Sequence, residues 1–364
     1  MSKIFGFLKK VIFYYLIIFS FTNIITAEEE TLLILGDSIS AGYGIDQKDN
    51  WVSLMQEKFN EEGTLLKLIN SSVSGDTTSG GLERLKKDLK KFKPDFVWVK
   101  CRTAGHDHQL TDSVRGSSKA LRANAQSSEE DWDVLYSGNN KGMGDYVDGG
   151  FILDDDGNNA RYNNTGQTYV AWCWKGGGNS HTYNIDGTGY GTASAAGLDG
   201  GTITPTGASI NTEAGFSIIT YSGNGTAGST VPHGLGKKPA WIIIKTTSHS
   251  DDWVINHHKI DDSSPEDYYI RFAASTRVDS IIMLNDTAPT SSVFSLQDDS
   301  TSNSGTRTYV AYCWTGIPGF SKFGTYRANG NGQGPYVSLG FRPAWVLIKN
   351  VSLGQPWVLV DNKR

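Results

Sequence analysis

The 364 residues carry 33 Lys and Arg against 38 Asp and Glu, a net charge of −5 that gives no basis for nucleic acid as a partner. Three cysteines, Cys101, Cys173 and Cys313, are odd in number, make no disulfide framework, and read as small buried hydrophobes. Composition turns over near residue 93: eight of the 42 glycines precede Lys93, and nine of the ten tryptophans fall at or after Trp98, so an α/β piece is expected before that point and a β-rich piece after it.

Met1–Ala27 has the build of a secretory signal peptide. Lys3, Lys9 and Lys10 supply a positive start, Val11 to Ile25 is apolar, and Ile25-Thr26-Ala27 is a cleavage site, so an exported, periplasmic or extracellular protein is expected. Leu32–Leu35 reads as a short buried strand that Gly36-Asp37-Ser38 ends. A serine where a strand gives way to a helix suits nucleophilic attack, because backbone N–H groups there can stabilise an oxyanion. Trp51–Asn60 has helical spacing, with Trp51, Leu54, Met55 and Lys58/Phe59 on one face. Leu65–Asn70 reads as a second strand, residues 71–81 as a small-residue loop, and Leu82–Phe92 as an amphipathic helix that Pro94 stops. Phe96–Val99 follows as a third strand, and this alternation is the start of a parallel sheet.

Leu33-Ile-Leu-Gly-Asp-Ser-Ile-Ser-Ala-Gly-Tyr-Gly44, the Trp51 helix and the stretch Asn70–Leu85 resemble the SGNH (GDSL) hydrolases, and within them the bacterial periplasmic thioesterase, lysophospholipase and arylesterase group. The resemblance covers about residues 31–99. It implies a flavodoxin-like α/β fold, Ser38 as nucleophile, the N–H groups of Ser38 and Gly75 as oxyanion donors, and acyl esters, thioesters or lysophospholipids as substrates. The family also uses a Gly-x-Asn-Asp block after the third strand and an Asp-x-x-His block that brings the general base. Cys101-Arg102-Thr103 stands where the first belongs, and none of the seven histidines has Asp three residues before it. Loss of one oxyanion donor costs about 10²–10³ in rate, and loss of the base about 10⁶. No general base is identifiable. One would have to come from a distant His106, His108, His233, His257 or His258.

From residue 93 the chain repeats itself. Lys93-Pro-Asp-Phe-Val-Trp-Val-Lys100 aligns with Lys238-Pro-Ala-Trp-Ile-Ile-Ile-Lys245 and Arg342-Pro-Ala-Trp-Val-Leu-Ile-Lys349. Tyr169-Val-Ala-Trp-Cys-Trp174 aligns with Tyr309-Val-Ala-Tyr-Cys-Trp314, and Gly215-Phe-Ser217 with Gly319-Phe-Ser321. Short aromatic and β-branched runs between Gly/Asn/Ser/Thr turns predict all-β sandwich repeats. Gly187–Gly201 reads as a flexible loop or linker. The repeated strings, with Asp112-Ser-Val-Arg-Gly116, resemble the Trp- and Gly-rich repeat domains of marine phage structural proteins, which implies a concanavalin-lectin-like fold and virion proteins or glycans as contacts.

The expected layout is thus mixed and multi-domain: a signal peptide at 1–27, an incomplete α/β segment at 28–100, repeat units at 93–237 and 238–341, and the start of a truncated third at 342–364. Lys93–Lys100 belongs to both resemblances, and a recombination join would fall there. Two functions follow: an SGNH-type ester hydrolase by ancestry that lacks its base, or a non-enzymatic structural or glycan-binding repeat protein carrying a hydrolase remnant. No cofactor and no metal is expected. Asp154-Asp-Asp-Gly-Asn158 lacks a bidentate Glu for calcium and reads as a solvated turn, and the adjacent His257-His258 side chains would point to opposite faces of a strand. Trp172, Trp174 and Trp314 read as core, and Asp251-Asp252 and Asp298-Asp299 as solvent-facing loops.

Overall fold

The computed structural model describes residues 30–363 except 35, 37, 65, 76, 78–92, 136–141, 155–160 and 274–275. The expected leader, the helix Leu82–Phe92 and all but the first residue of Asp154–Asn158 lie outside the described residues. The chain divides into two compact units, Met1–Lys91 and Phe92–Arg364. No helix among the described residues is long and apolar enough to cross a membrane.

In the first unit β1 (Glu30–Ile34) runs parallel to β2 (Leu66–Asn70), with Glu30 opposite Leu66 and Ile34 opposite Asn70. Between them lie the single turn α1 (Ser38–Ala41) and the crossover helix α2 (Trp51–Glu61). Asn50 caps α2, its Oδ1 accepting the Val52 N–H at 2.8 Å. Gln56 ties the helix to β2: its amide donates to the Leu66 carbonyl at 3.0 Å and accepts the Leu68 N–H at 2.5 Å. The elements are those the spacing predicts, but their burial is not. Leu32, Leu54 and Trp51 stay exposed, and Val52 is the buried residue of α2. A parallel sheet is ordinarily covered on both faces, and two strands offer too little surface to do this.

Among the described residues the second unit is β apart from loops, the single turn α3 (Trp132–Leu135) and a 3-10 turn at Pro265–Asp267. Its first strands are β3 (Phe96–Cys101), β4 (Gln109–Asp112), β5 (Gly116–Arg122), β6 (Glu130–Asp131), β7 (Gly142–Val147), β8 (Gly150–Asp154) and β9 (Tyr169–Trp174). Then come β10 (Tyr183–Ile185), β11 (Thr188–Tyr190), β12 (Gly207–Asn211), β13 (Phe216–Ser222), β14 (Ser229–Pro232), β15 (Trp241–Thr246) and β16 (Val254–His257). The last are β17 (Tyr268–Tyr269), β18 (Val278–Asp279), β19 (Val293–Leu296), β20 (Thr308–Trp314), β21 (Trp345–Ile348) and β22 (Val358–Asp361). A five-stranded sheet has the order β6-β5-β4-β3-β9, and a seven-stranded sheet the order β11-β10-β12-β13-β20-β15-β16.

Three apolar clusters stack these layers. Phe96, Trp98 and Trp172 of the five-stranded sheet meet Phe216, Tyr312 and Trp314 of the seven-stranded sheet. The far face of the first sheet, Val97 and Val99, packs with Met143 and Tyr146 of β7. The far face of the second, Ile210, Ile242 and Ile244, packs with Val231 of β14 and Phe294 and Leu296 of β19. Trp174 and Trp314 join edge-on aromatic contacts with neighbouring rings, as core residues do.

Several expectations change here. Phe96–Val99 is not the third strand of a parallel sheet: β3 is antiparallel to both β4 and β9. The stretches 93–237 and 238–341 do not form separate sheets, because β13 of the first pairs with β20 of the second along its whole length, Phe216 opposite Trp314 to Ser222 opposite Thr308. The Gly187–Gly201 run is half ordered structure: Asp186 and Gly187, both at positive φ, turn β10 into β11, and Ala193 and Leu198 are core residues. The rings of His257 and His258 meet edge-on at 5.2 Å, because β16 ends at His257 and strand alternation ends with it. Asp251 and Asp252 are ion-paired rather than solvated, to Arg307 at 2.6 Å and Arg271 at 2.9 Å.

A buried ionic knot joins the two large sheets. Arg115, in the turn between β4 and β5, donates to Asp112 Oδ2 at 2.6 Å, to Glu129 Oε2 at 2.8 Å and to the Tyr312 hydroxyl at 3.2 Å. Tyr312, on β20, donates in turn to Asp112 Oδ2 at 2.7 Å. Breaking a buried pair leaves an uncompensated charge, so Arg115→Met is expected to lower the unfolding free energy by about 3–5 kcal/mol. Tyr312→Phe, which removes one hydroxyl, is expected to cost about 1–3 kcal/mol. Urea unfolding of the two variants checks both values, and equal losses would contradict the assignment of the charge to Asp112–Arg115.

Candidate active site

Ser38 opens α1, just past the C-terminal end of β1, and Gly75 lies in the loop past the C-terminal end of the parallel neighbour β2. In parallel sheets ligands bind at this end. The two loops are laced together. The Ser71 N–H donates to the Ile34 carbonyl at 2.9 Å, and the Val73 N–H to the Gly36 carbonyl at 3.2 Å. The side-chain amides of Asn50 and Asn70 both donate to the Ser40 carbonyl, at 2.9 and 2.7 Å, which pins α1 against the end of β2. Gly36 is required by crowding, since a Cβ there would lie 2.7 Å from Ser40 Oγ. Gly75 is required by its φ of +77°, a left-handed conformation, while the space around it is open. Asn50 and Asn70 were not singled out in the sequence. Asn50 was within reach as a helix N-cap ahead of Trp51, but a side chain that bonds to a carbonyl ten or thirty residues away leaves no local pattern.

The first unit contains no histidine; all seven follow residue 92. Four rings of the second unit, those of His108, His233, His257 and His258, are hydrogen-bonded within it. His108 Nδ1 accepts the Trp98 indole N–H at 2.8 Å. His233 Nδ1 accepts the Leu235 N–H at 3.2 Å, and its Nε2 lies 3.3 Å from the Thr290 carbonyl. His257 Nδ1 accepts the Lys259 N–H at 3.1 Å, and His258 Nε2 lies 3.2 Å from the Phe323 carbonyl. His106 offers its carbonyl to the Lys100 ammonium. Among the described residues no histidine forms an ion pair with a carboxylate, and no group of His, Cys, Asp and Glu is arranged to hold a metal. Burial pushes the Cys173 and Cys313 thiols up to about 11 and about 12, which suits inert core residues rather than nucleophiles.

The chain resembles known proteins in two overlapping parts. A family profile described as Domain of unknown function (DUF7483) matches residues 75–364, and one described as GDSL-like Lipase/Acylhydrolase family matches residues 34–101. Esterase TesA of Pseudomonas aeruginosa is 45% identical over 73 residues, which are 20% of this chain and 36% of the relative. An arylesterase of Vibrio mimicus is 40% identical over 84 residues, 23% of this chain and 42% of the relative. Thioesterase 1/protease 1/lysophospholipase L1 of Escherichia coli K12 is 39% identical over 87 residues, 24% and 39%. The chain spans about two fifths of the length of these relatives. The crystal structure of TesA aligns at 47% identity over 18% of this chain and 37% of its own, with a TM-score of 0.17. That of AlinE4, an SGNH-hydrolase family esterase, aligns at 36% identity over 19% and 38%, also with a TM-score of 0.17. The N-terminal segment is therefore SGNH/GDSL esterase-like in ancestry.

The histidines give a pH signature. Burial holds the His108, His233 and His257 rings down to about 4, with Lys100 adding to the effect at His108 and His258 at His257. A ring whose folded pKa lies below its ordinary 6.5 is protonated first in the unfolded chain. Stability should be full above about pH 6.5, fall between about 6.5 and 4 by up to about 1.4 kcal/mol per unit for each ring, and take no further slope from these groups below that. Urea unfolding across this range, with ring proton shifts to assign the midpoints, checks it; midpoints near 6.5 would contradict it.

Proposed function

Since the chain belongs to the family described as Domain of unknown function (DUF7483), which takes in residues 75–364, we propose that its working part is the β-rich unit, a structural or binding domain, and that residues 34–101 descend from an ester hydrolase without retaining its catalysis. The observation that carries this reading is the pairing of β3. The hydrolase-like match runs to residue 101, yet β9 takes one edge of Phe96–Cys101 along its length and β4 takes the other over Phe96–Val99. The strand that would follow β1 and β2 in a hydrolase sheet is committed elsewhere, and the Asn and His blocks that would come after it are absent from the sequence. A serine hydroxyl without a base is a weak nucleophile at neutral pH.

The repeated aromatic strings support virion proteins or glycans as the partners of the β-rich unit, and the Lys3–Lys10 start with the apolar run to Ile25 supports export. A second reading keeps Ser38 as an active nucleophile, with the Ser38 and Gly75 N–H groups on the oxyanion and acyl esters, thioesters or lysophospholipids as substrates. The 45% identity to an esterase over 73 residues favours it, as does the match of residues 34–101 to the GDSL-like family.

Incubation of the full chain with a fluorophosphonate probe, beside aryl-ester and acyl-thioester turnover, separates the two. The expected result is no Ser38-dependent label and turnover indistinguishable from that of Ser38→Ala. Labelling of the wild type that Ser38→Ala abolishes would establish the second reading.

A further inference from the structure

In the first unit, α2 turns an apolar stripe outward. Val52 is buried, Phe59 is half-buried, and Gln56 bonds the Leu66 and Leu68 backbone, so positions 52, 56 and 59 are the side of the helix that meets β2. Trp51, Leu54 and Met55 form a different stripe at i, i+3 and i+4, which Lys58 completes at i+7. They are 39%, 50% and 39% exposed. Beside the start of the helix, in the turn where a Cβ on Gly42 would meet the Asn50 amide, Tyr43 and Ile45 are 79% and 53% exposed. Scattered apolar residues on a surface are ordinary, but a stripe with its flanking turn, on the order of 500 Å² per copy, marks a contact surface.

The stripe is complementary to itself. A two-fold axis between Leu54 and Met55 lays two copies of α2 antiparallel, with Leu54 on the partner's Met55 and the Lys58 ammonium on the partner's Trp51 indole, a cation–π arrangement. Lys48, just ahead of the helix, then comes toward the partner's Glu61. Neither lysine is tied down elsewhere: Lys48 lies 3.7 Å from Asp46 and Lys58 4.0 Å from Glu62, and both pairs are exposed, where such pairs are weak. A lipid surface is the poorer match. Five acids from Asp46 to Glu62 stand against Lys48 and Lys58, and anionic lipid repels that balance.

We infer that the outward stripe of α2 is a self-association surface, which pairs antiparallel with α2 of a second copy of this chain. Two such faces together withdraw about 1,000 Å² from water, the lower bound for a specific interface, so the dimer is weak, with a dissociation constant in the micromolar range. The contact is isologous: each residue of the stripe meets its counterpart reflected through the axis, and no like charges face each other across it.

Sedimentation velocity of the full chain across the micromolar range tests this, and a concentration-dependent dimer is expected. Leu54→Glu, at an exposed position, should weaken the dimer by at least about a hundredfold, since it sets a carboxylate against the partner's Met55. Lys48→Glu and Glu61→Lys should each weaken it by about tenfold. An equimolar mixture of those two variants should recover it, because each acid then meets a lysine across the axis. A chain that stays monomeric, a dimer that Leu54→Glu leaves intact, or a mixture that associates no better than its components overturns the proposal; the mixture decides it even where Leu54→Glu fails to fold. A monomer that floats with anionic vesicles overturns it as well and assigns the face to a membrane.

Discussion

A β-strand has two edges, and the account depends on what holds those of Phe96–Cys101. β4 pairs along one and β9 along the other, both antiparallel. Over Phe96–Val99, where both neighbours pair, no edge is left for a parallel sheet. Among the described residues, the hydrolase-like stretch ahead of β3 holds β1, β2, their crossover helix and the serine turn. This accounts for the exposure of Leu32 and Leu54, which a larger sheet would bury. The serine turn itself is well made, with the Asn50 and Asn70 amides both donating to the Ser40 carbonyl.

The same strand opens the repeated architecture of the second unit. Each Lys that ends a repeated string serves the loop after it: Lys100 bonds the His106 carbonyl, Lys245 the His249 carbonyl at 3.5 Å, and Lys349 the Gln355 carbonyl at 2.6 Å. Each Tyr that opens the other string accepts a backbone N–H from five residues earlier, Asn164 to Tyr169 at 2.9 Å and Ser304 to Tyr309 at 2.8 Å. The repeat is thus a repeat of loop clamps as well as of core residues. Strand exchange between copies, β13 onto β20, and the Arg115 knot then weld the copies into one body.

The sequence carried what is local. The aligned strings marked β3, β15 and β21 and β9 and β20, and the helical spacing of Trp51–Asn60 marked α2. What it did not carry is pairing across long separations. Nothing near Phe216 says that it will face Trp314, and a lone Arg115 between Asp112 and Gly116 looks like a turn residue until Tyr312 arrives from two hundred residues away. Ser38 and Gly75 were legible as motif residues. Their lack of a histidine was legible as well, because 91 residues without one is a matter of counting. Lys93–Lys100 fitted two resemblances equally, and only the register separates them.

The most direct test of the central claim is a set of Hα–Hα contacts across β3 by nuclear Overhauser spectroscopy on the isotope-labelled chain. The account predicts antiparallel contacts from residues 96–99 to 109–112 and from residues 96–101 to 169–174. Contacts from those residues to Glu30–Ile34 in a parallel register, with 169–174 unpaired, would contradict it and restore the strand to a hydrolase sheet.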